Sequence, residues 1–189
     1  EVDGGGLPDY GCDIRTSGYD GAAKCGRLFK LHGSMHWLYC PTCQRLELGL
    51  DTNGRLRKAG LRLAATLARL DFVASLEQNV LRCPDCETAF RAVMITPTSL
   101  KDYRNPHIAS LWYKAERALR EADRVVFIGY SLPWDDIDVI YLLKRGLARE
   151  KQPRITVVQH SDGGPVPIQD HEAGQRYEGV FGSRLDWQP

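Results

Sequence analysis

The sequence predicts an α/β fold in which a parallel sheet lies beside a small module pinned by a metal ion. Two observations lead to this prediction. Between residues 125 and 158, a helical pattern separates two short apolar runs typical of buried strands. At this spacing the three segments form a β-α-β unit with a right-handed crossover. In addition, two C-x-x-C pairs stand at residues 40–43 and 83–86, as in metal-binding turns.

Length and composition exclude several classes of protein. The 189 residues suffice for one domain or two small ones, and 43% hydrophobic with 26% charged residues is ordinary for a globular protein. A net charge of +1 gives no electrostatic basis for binding nucleic acid or an anionic membrane. No apolar run approaches the roughly 20 residues that span a bilayer, and no signal segment opens the chain. We therefore expect a cytoplasmic protein with neither nucleic acid nor membrane as partner.

The first part of the chain carries little periodicity. It begins at Glu1, not Met, with a glycine-rich stretch. We expect a fragment whose upstream part is missing, and a processed or tagged terminus is the alternative. Residues 1–26 are predicted to be mostly loop. Residues 27–31 are predicted to form a short strand that ends at His32.

The two C-x-x-C pairs predict a structural zinc site. Zinc favours four soft ligands in a tetrahedron, and each C-x-x-C turn presents two thiolates at a suitable separation. Four thiolates leave no open coordination position, so the metal would be structural and not catalytic. Free or disulfide-bonded cysteines are the alternative, as is His36 in place of one cysteine. The predicted ligands are Cys40, Cys43, Cys83 and Cys86, whereas Cys12 and Cys25 are interpreted as ordinary small residues.

Between the pairs, residues 51–54 read as a turn. Leu63, Leu67 and Leu70 recur at helical spacing and predict one amphipathic helix. After the second pair, residues 93–95 predict a short strand.

The remaining elements follow in the order strand, helix and strand. Apolar residues at intervals of three and four predict a helix over residues 107–122 and another over 135–148. The continuous apolar run 125–128 predicts a strand buried on both faces, and 155–158 predicts the next buried strand. The tail after residue 159 is polar, and its closing residues 181–187 are expected to dock weakly or to be cut before their element ends.

Three residues after the first buried strand form a candidate ligand loop. In parallel α/β sheets, ligands bind beyond the carboxyl ends of the strands. Gly129 lets a ligand approach the backbone closely, and Ser131 offers a hydroxyl near a helix N-terminus, which suits phosphate or ribose. Gln159 follows the next strand and would lie at the same rim. A plain turn is the alternative, since neither G-x-G-x-x-G nor a Walker sequence is present.

His32 is the third candidate, because an imidazole can accept a proton near neutral pH. On its own, a histidine after an apolar run is also compatible with a structural role in the core or at the surface.

Taken together, these motifs resemble the sirtuin family. Leu31-His32-Gly33-Ser34 comes first, then the two C-x-x-C pairs, then Gly129-Tyr130-Ser131-Leu132, then a strand ending in Val158-Gln159. The sequence looks closest to the sirtuin-like NAD-consuming proteins of bacteria. The resemblance covers roughly residues 27–160 and corresponds to the C-terminal part of the family's domain.

The resemblance implies a partial Rossmann-like NAD-binding domain over residues 1–39 and 87–189, with an inserted zinc module over 40–86. The family's catalytic histidine falls on His32, which would act as a base on a hydroxyl of the nicotinamide ribose. The phrase that holds NAD falls on Gly129, Tyr130 and Ser131. Gln159 stands where the family has an asparagine that serves the adenosine part.

Two departures from the family affect the activity that we expect. The glycine-rich NAD loop and the asparagine-aspartate segment expected before the histidine are missing, so we expect this fragment alone to be inactive. The Phe-Gly-Glu phrase of protein deacetylases is replaced by residues 95–98. This favours hydrolysis of NAD to nicotinamide and ADP-ribose in the parent protein, of the kind found in antiviral defence. An NAD-dependent protein deacylase and a non-catalytic zinc-stabilised scaffold are the alternatives, with a second copy or a fused domain as further partners.

Overall fold

The computed structural model describes most of the chain outside its first residues and the segment between the two cysteine pairs. The described residues are 8–15, 26–49, 81–95, 103–148, 152–161, 164–182 and 185–188. The chain divides into two compact units, Glu1–Leu111 and Trp112–Pro189. The predicted turn at residues 51–54 and the predicted helix around Leu63 to Leu70 lie outside the described residues.

A four-stranded sheet forms the described part of the first unit. Its strands are β1 (Ile14–Arg15), β2 (Gly33–Cys40), β3 (Arg45–Leu48) and β4 (Arg91–Met94), in the spatial order β1-β3-β2-β4. β2 pairs antiparallel with both β3 and β4, and a bulge between Ser34 and Leu38 shifts its register against β4. Trp37, Cys40 and Leu46 are buried on these central strands. The predicted strand near residues 93–95 corresponds to β4.

The predicted strand over residues 27–31 is wrong. The chain turns there, with the Gly33 amide donating to the Lys30 carbonyl at 2.8 Å, and β2 begins only at Gly33. His32 therefore precedes a strand instead of ending one. The reason is tertiary, because the segment after His32 finds a hydrogen-bonding partner on each side, in β3 and β4.

A three-stranded parallel sheet organises the second unit. Its strands are β5 (Arg124–Ile128), β6 (Arg154–Val158) and β7 (Leu185–Gln188), in the spatial order β5-β6-β7. Helix α1 (Pro106–Glu121) precedes β5, α2 (Ile137–Leu147) connects β5 to β6, and α3 (Glu172–Phe181) connects β6 to β7 after a single 3-10 turn. The α/β class and the β-α-β unit are confirmed, and the two predicted helices begin and end within two residues of α1 and α2.

Strand β5 is not buried on both faces as predicted. Val126 is 43% and Ile128 75% exposed, whereas Ile155, Thr156 and Val157 of β6 are all buried. Val126 and Ile128 lie on the same face of β5, and the described residues leave that face uncovered; they also pair β5 with β6 alone, so it is an edge strand. Apolar composition alone could not distinguish this edge strand from the central one.

The segment after residue 159 is an integral part of the second unit, contrary to the expectation of a weakly docked polar tail. Tyr177 and Phe181 of α3 are buried and lie against Phe127 of β5, with ring centroids 5.1 and 5.9 Å away. β7 pairs with β6 in parallel along its whole length. Among the helices described, none is both long enough and apolar enough to cross a membrane.

Candidate functional site

The structure brings the four predicted metal ligands together in the first unit. β2 ends at the first cysteine, the following tight turn carries the second, and a turn closed by an antiparallel bridge between Arg82 and Ala89 carries the other two. All four sulfur atoms lie within 4.8 Å of one another. We call this group the cysteine cluster, and it consists of Cys40, Cys43, Cys83 and Cys86.

The two turns have matching backbones. Gln44 and Glu87, each directly after the second cysteine of its pair, adopt left-handed φ angles of 53° and 57°. The hydroxyls of Thr42 and Thr88 are hydrogen-bonded across the two turns at 2.9 Å. The turns therefore face each other as a matched pair, as two halves of a closed coordination shell require.

The sulfur separations fit a tetrahedral ion. With zinc–sulfur bonds of about 2.3 Å, neighbouring sulfurs in a tetrahedron lie about 3.8 Å apart. The Cys40 and Cys86 sulfurs are 3.4 Å apart, and those of Cys43 and Cys83 are 3.9 Å apart. None of the five cysteines that the structure describes forms a disulfide. His36 and Cys12 are not members of the cluster, and Cys25 lies outside the described residues.

Two thiols of the cluster differ in how tightly they hold a proton. A hydrogen bond with Cys86 raises the pKa of the Cys43 thiol to about 12, while hydrogen bonds from Thr88 lower the pKa of Cys86 to about 6. One thiol thus keeps its proton to share with a neighbouring thiolate. A divalent cation would replace that proton, because metal binding requires deprotonated sulfur.

Arg45 is a member of this site that the sequence did not reveal. Its guanidinium donates to the Cys83 sulfur at 3.2 Å and also forms ion pairs with Glu47, at 3.5 Å, and with Asp85. Glu47 is itself buried. Arg45, five residues after Cys40, belongs to no recognisable motif, so only the fold identifies it as a neighbour of the sulfurs.

His32 lies in the turn before β2, in the first unit. Its carbonyl accepts a hydrogen bond from the Ile95 amide at 2.9 Å, and its ring atom Nε2 is buried. The following Gly33 has φ +76°, and a Cβ at this position would overlap the carbonyl oxygen of Val93. A glycine is therefore required after His32 because β4 approaches the backbone too closely for a side chain.

In the second unit, the structure brings the predicted loop residues and Gln159 together. The Gly129 amide donates to the Val158 carbonyl at 3.0 Å, so the pairing of β5 with β6 continues into the loop. The side-chain amide of Gln159 donates to the Tyr130 carbonyl at 2.5 Å. Ser131 follows in the same loop and is exposed. These residues lie at the carboxyl ends of two adjacent parallel strands.

The loop, residues 129–132, is also fixed from elsewhere in the unit. The Tyr130 hydroxyl donates to Asp136 at 2.6 Å, and burial raises the pKa of this tyrosine. From α3, the Tyr177 hydroxyl donates to the Tyr130 carbonyl and the Arg176 guanidinium donates to the Ser131 carbonyl, both at 2.8 Å. The sequence did not indicate either α3 residue, because they follow the loop by 47 and 45 positions.

Comparisons with known proteins gave matches among solved structures alone. No protein-family model matches the chain, and no curated protein matches it. A structure from a study of sirtuin substrate affinity matches with a TM-score of 0.38 and 16% identity, over 86% of this chain and 58% of that one.

Two further matches are complexes of Sir2 proteins. One, with a p53 peptide and NAD+, has a TM-score of 0.37 and 14% identity, over 82% of this chain and 56% of that one. The other, bound to a propionylated peptide, has a TM-score of 0.35 and 15% identity, over 86% and 58% of the two chains. The chain is thus similar to solved sirtuins at low identity, and it spans less than two thirds of their length.

Proposed function

We propose that this chain binds NAD at the 129–132 loop, as part of a sirtuin-like domain that consumes NAD. The observation that carries the proposal is the meeting of this loop with Gln159 at the carboxyl ends of β5 and β6. In open parallel sheets this edge is where ligands bind.

The conformation of the loop supports this proposal. Gly129 has φ +66°, and no atom of the described residues lies within 4 Å of where its Cβ would be, so there is open space beside the backbone. Ser131 is exposed and lies shortly before α2. The N-terminal end of a helix favours negative charge. An exposed hydroxyl next to free space is suited to hydrogen bonding with a ribose or a phosphate.

His32 is proposed as the base that accepts a proton from a ribose hydroxyl. The resemblance in sequence motifs supports this role, since the Leu-His-Gly-Ser phrase carries the family's histidine. We propose water as the acceptor, because residues 95–98 do not provide the phrase that protein deacetylases use. The product pair would then be nicotinamide and ADP-ribose.

The cysteine cluster is proposed to hold one structural zinc ion, in a module over residues 40–86 that is inserted in the NAD-binding domain. Its four sulfurs lie within 4.8 Å of one another, close enough to complete a tetrahedral coordination shell around one ion. The ion would organise the two turns and take no part in the reaction.

Titration calorimetry with NAD tests the binding proposal on the chain as it exists. We expect measurable binding that Ser131→Ala weakens about 5- to 10-fold, the effect of one hydrogen bond. Ser110→Ala is the matched control, because Ser110 is an exposed serine on α1 outside the loop, and it should bind as the unmodified chain does. Absence of NAD binding by the unmodified chain at millimolar concentration would contradict the proposal.

A separate experiment tests the base. In the full-length natural protein, His32→Ala should lower the rate of nicotinamide release by about 100- to 10,000-fold, the range for loss of a positioned base. His36→Ala is the matched control, because it removes a nearby histidine of β2 and should retain activity. Zinc content and folding should not change in either variant. A folded His32→Ala protein with near-normal turnover would show that His32 is not the base and has a structural role.

The alternative is a binding module without chemistry, and one observation favours it. Trp134, in the turn before α2, and Ile137 and Tyr141, one turn apart on α2, are 60%, 56% and 64% exposed. Exposed apolar clusters of this kind are typical of surfaces that bind other proteins. A chain that holds zinc and is folded, but does not bind NAD, would support this alternative.

A further inference from the structure

Three side chains outside the 129–132 loop hold two of its successive carbonyl groups. The Tyr130 carbonyl accepts from the Gln159 amide at 2.5 Å and from the Tyr177 hydroxyl at 2.8 Å. The Ser131 carbonyl accepts from the Arg176 guanidinium at 2.8 Å. We infer that Gln159, Arg176 and Tyr177 are positioning residues, which hold the loop in its nucleotide-binding conformation before the nucleotide arrives. This inference rests on the proposed function.

The loop needs such support because its backbone is unusual at both ends. Gly129 has φ +66° and Leu132 has φ +50°. Glycine adopts this region freely, but a leucine does so only when the surroundings compensate for the steric cost. Leu132 is completely buried, which anchors the end of the loop, and the three donors hold its middle. The loop is therefore kept in one strained conformation by contacts on several sides.

Tyr177 is well suited to hold a fixed carbonyl. Its side chain is fully buried, and its ring lies 5.1 Å from Phe127 and 6.2 Å from the stacked ring of Phe181. Burial raises its pKa, so the hydroxyl keeps the proton that it donates. A ring packed in this way cannot follow a moving loop, so its hydroxyl defines where the carbonyl must lie.

Arg176 is held in turn by its own helix. Glu172, one turn earlier on α3, forms an ion pair with the same guanidinium group. The side chain of Arg176 is largely buried, whereas that of Glu172 is mostly exposed. The ion pair orients the guanidinium while its Nε–H donates to the loop.

The bond from Gln159 changes the role that the motif resemblance implies for it. The side-chain nitrogen of Gln159 is engaged with the loop backbone. A glutamine at this position can therefore act through the loop and not through the adenosine alone. Preformed loops bind more tightly because less conformational entropy is lost on binding.

The test compares matched substitutions with two independent measurements. Tyr177→Phe keeps the buried ring and removes only the hydroxyl, and Tyr141→Phe makes the same change at an exposed position of α2. Arg176→Met is compared with Arg117→Met, since Arg117 also pairs with a glutamate one turn away, Glu121 on α1, but lies in an exposed position. Backbone amide relaxation reports the order of residues 129–132 without nucleotide, and calorimetry reports the affinity for NAD.

We expect Tyr177→Phe and Arg176→Met each to weaken NAD binding about 5- to 10-fold. The order parameters of Tyr130 and Ser131 should fall from about 0.85 towards 0.6 in the free chain. Both control variants should leave affinity and loop order unchanged. Arg176→Lys separates positioning from charge attraction, because lysine keeps the positive charge but lacks the planar donor that reaches Ser131. It should behave as Arg176→Met does.

The outcomes separate this inference from the proposed function. If the unmodified chain does not bind NAD, the proposed function is wrong, and a loop that loosens in Tyr177→Phe still supports positioning. If the unmodified chain binds NAD and neither loop order nor affinity changes in Tyr177→Phe and Arg176→Met, the positioning role is overturned. Full recovery of affinity in Arg176→Lys would overturn the positioning role of Arg176 in favour of direct attraction to the phosphates.

Discussion

The cysteine cluster and the 129–132 loop are built in opposite ways. The cluster consists of side chains from two short turns, each with its ligands three residues apart. The loop consists of backbone carbonyls, held by donors that are 29, 45 and 47 positions away. A site of the first kind is visible as a spacing in the sequence, whereas a site of the second kind depends on which distant residues the fold brings close.

The two sites also differ in what stabilises them. The four sulfurs lie within 4.8 Å of one another, which is compatible with zinc, and the proposed ion would make the stability of the cluster depend on a ligand. The loop is stabilised by the unit that surrounds it, through individual hydrogen bonds that each contribute about 1 kcal/mol. Substitutions in the cluster should therefore have large effects that depend on metal, and those around the loop should have smaller effects on ligand binding.

The largest expected effect is loss of zinc on substitution of a cysteine. Cys83→Ser should abolish tight zinc binding and disorder both turns, since metal binding and folding in such modules are coupled by about 10 kcal/mol. Metal analysis should give a ratio near one for the unmodified chain and near zero for the variant. Cys12→Ser is the control, because Cys12 is outside the cluster. This variant should keep the metal. A metal-free chain of unchanged stability would show that the cluster is not a zinc site.

The next effect compares two glycines with similar backbone angles. Gly33→Ala should destabilise the first unit by about 3 kcal/mol or more, because the added Cβ overlaps β4 in addition to the left-handed penalty. Gly129→Ala should cost only about 1 kcal/mol, because the space around it is open. Denaturant unfolding in the presence of zinc measures both values. Equal costs would mean that backbone angle and not close contact sets the requirement for Gly33.

A third expected effect concerns Arg45. Arg45→Met should weaken zinc binding about 10- to 100-fold, as is usual when a group that supports a metal ligand is removed. Competition with a coloured chelator measures this change. Arg82→Met is the matched control, because Arg82 flanks the other cysteine turn and donates to the Glu87 carbonyl and not to a sulfur.

Glu47 complicates that experiment, because Arg45→Met also leaves its buried carboxylate without the arginine. The double variant Arg45→Met/Glu47→Gln removes both charges, and Asp85→Asn in the same background removes the other ion pair of Arg45, so that the contact with Cys83 is isolated. If the zinc affinity of the resulting triple variant equals that of the unmodified chain, the bond to the sulfur contributes nothing to metal binding.

The sequence by itself determined the fold class, the cysteine cluster and the positions of α1, α2 and β6. These features depend on local periodicity or on short fixed spacings, which a chain shows before it folds. The segment after residue 159 was misjudged because its apolar residues Ala173, Tyr177 and Phe181 are diluted by polar neighbours, although their spacing of four is helical.

The tertiary structure alone decided the rest. It placed the start of β2 after His32, left β5 exposed on one face, and assigned Arg45, Arg176 and Tyr177 to the two candidate sites. None of these follows from local pattern, because each depends on a partner far away in the chain. Strand pairing and side-chain hydrogen bonds are settled by the residues that burial brings together, and a sequence pattern does not record that proximity.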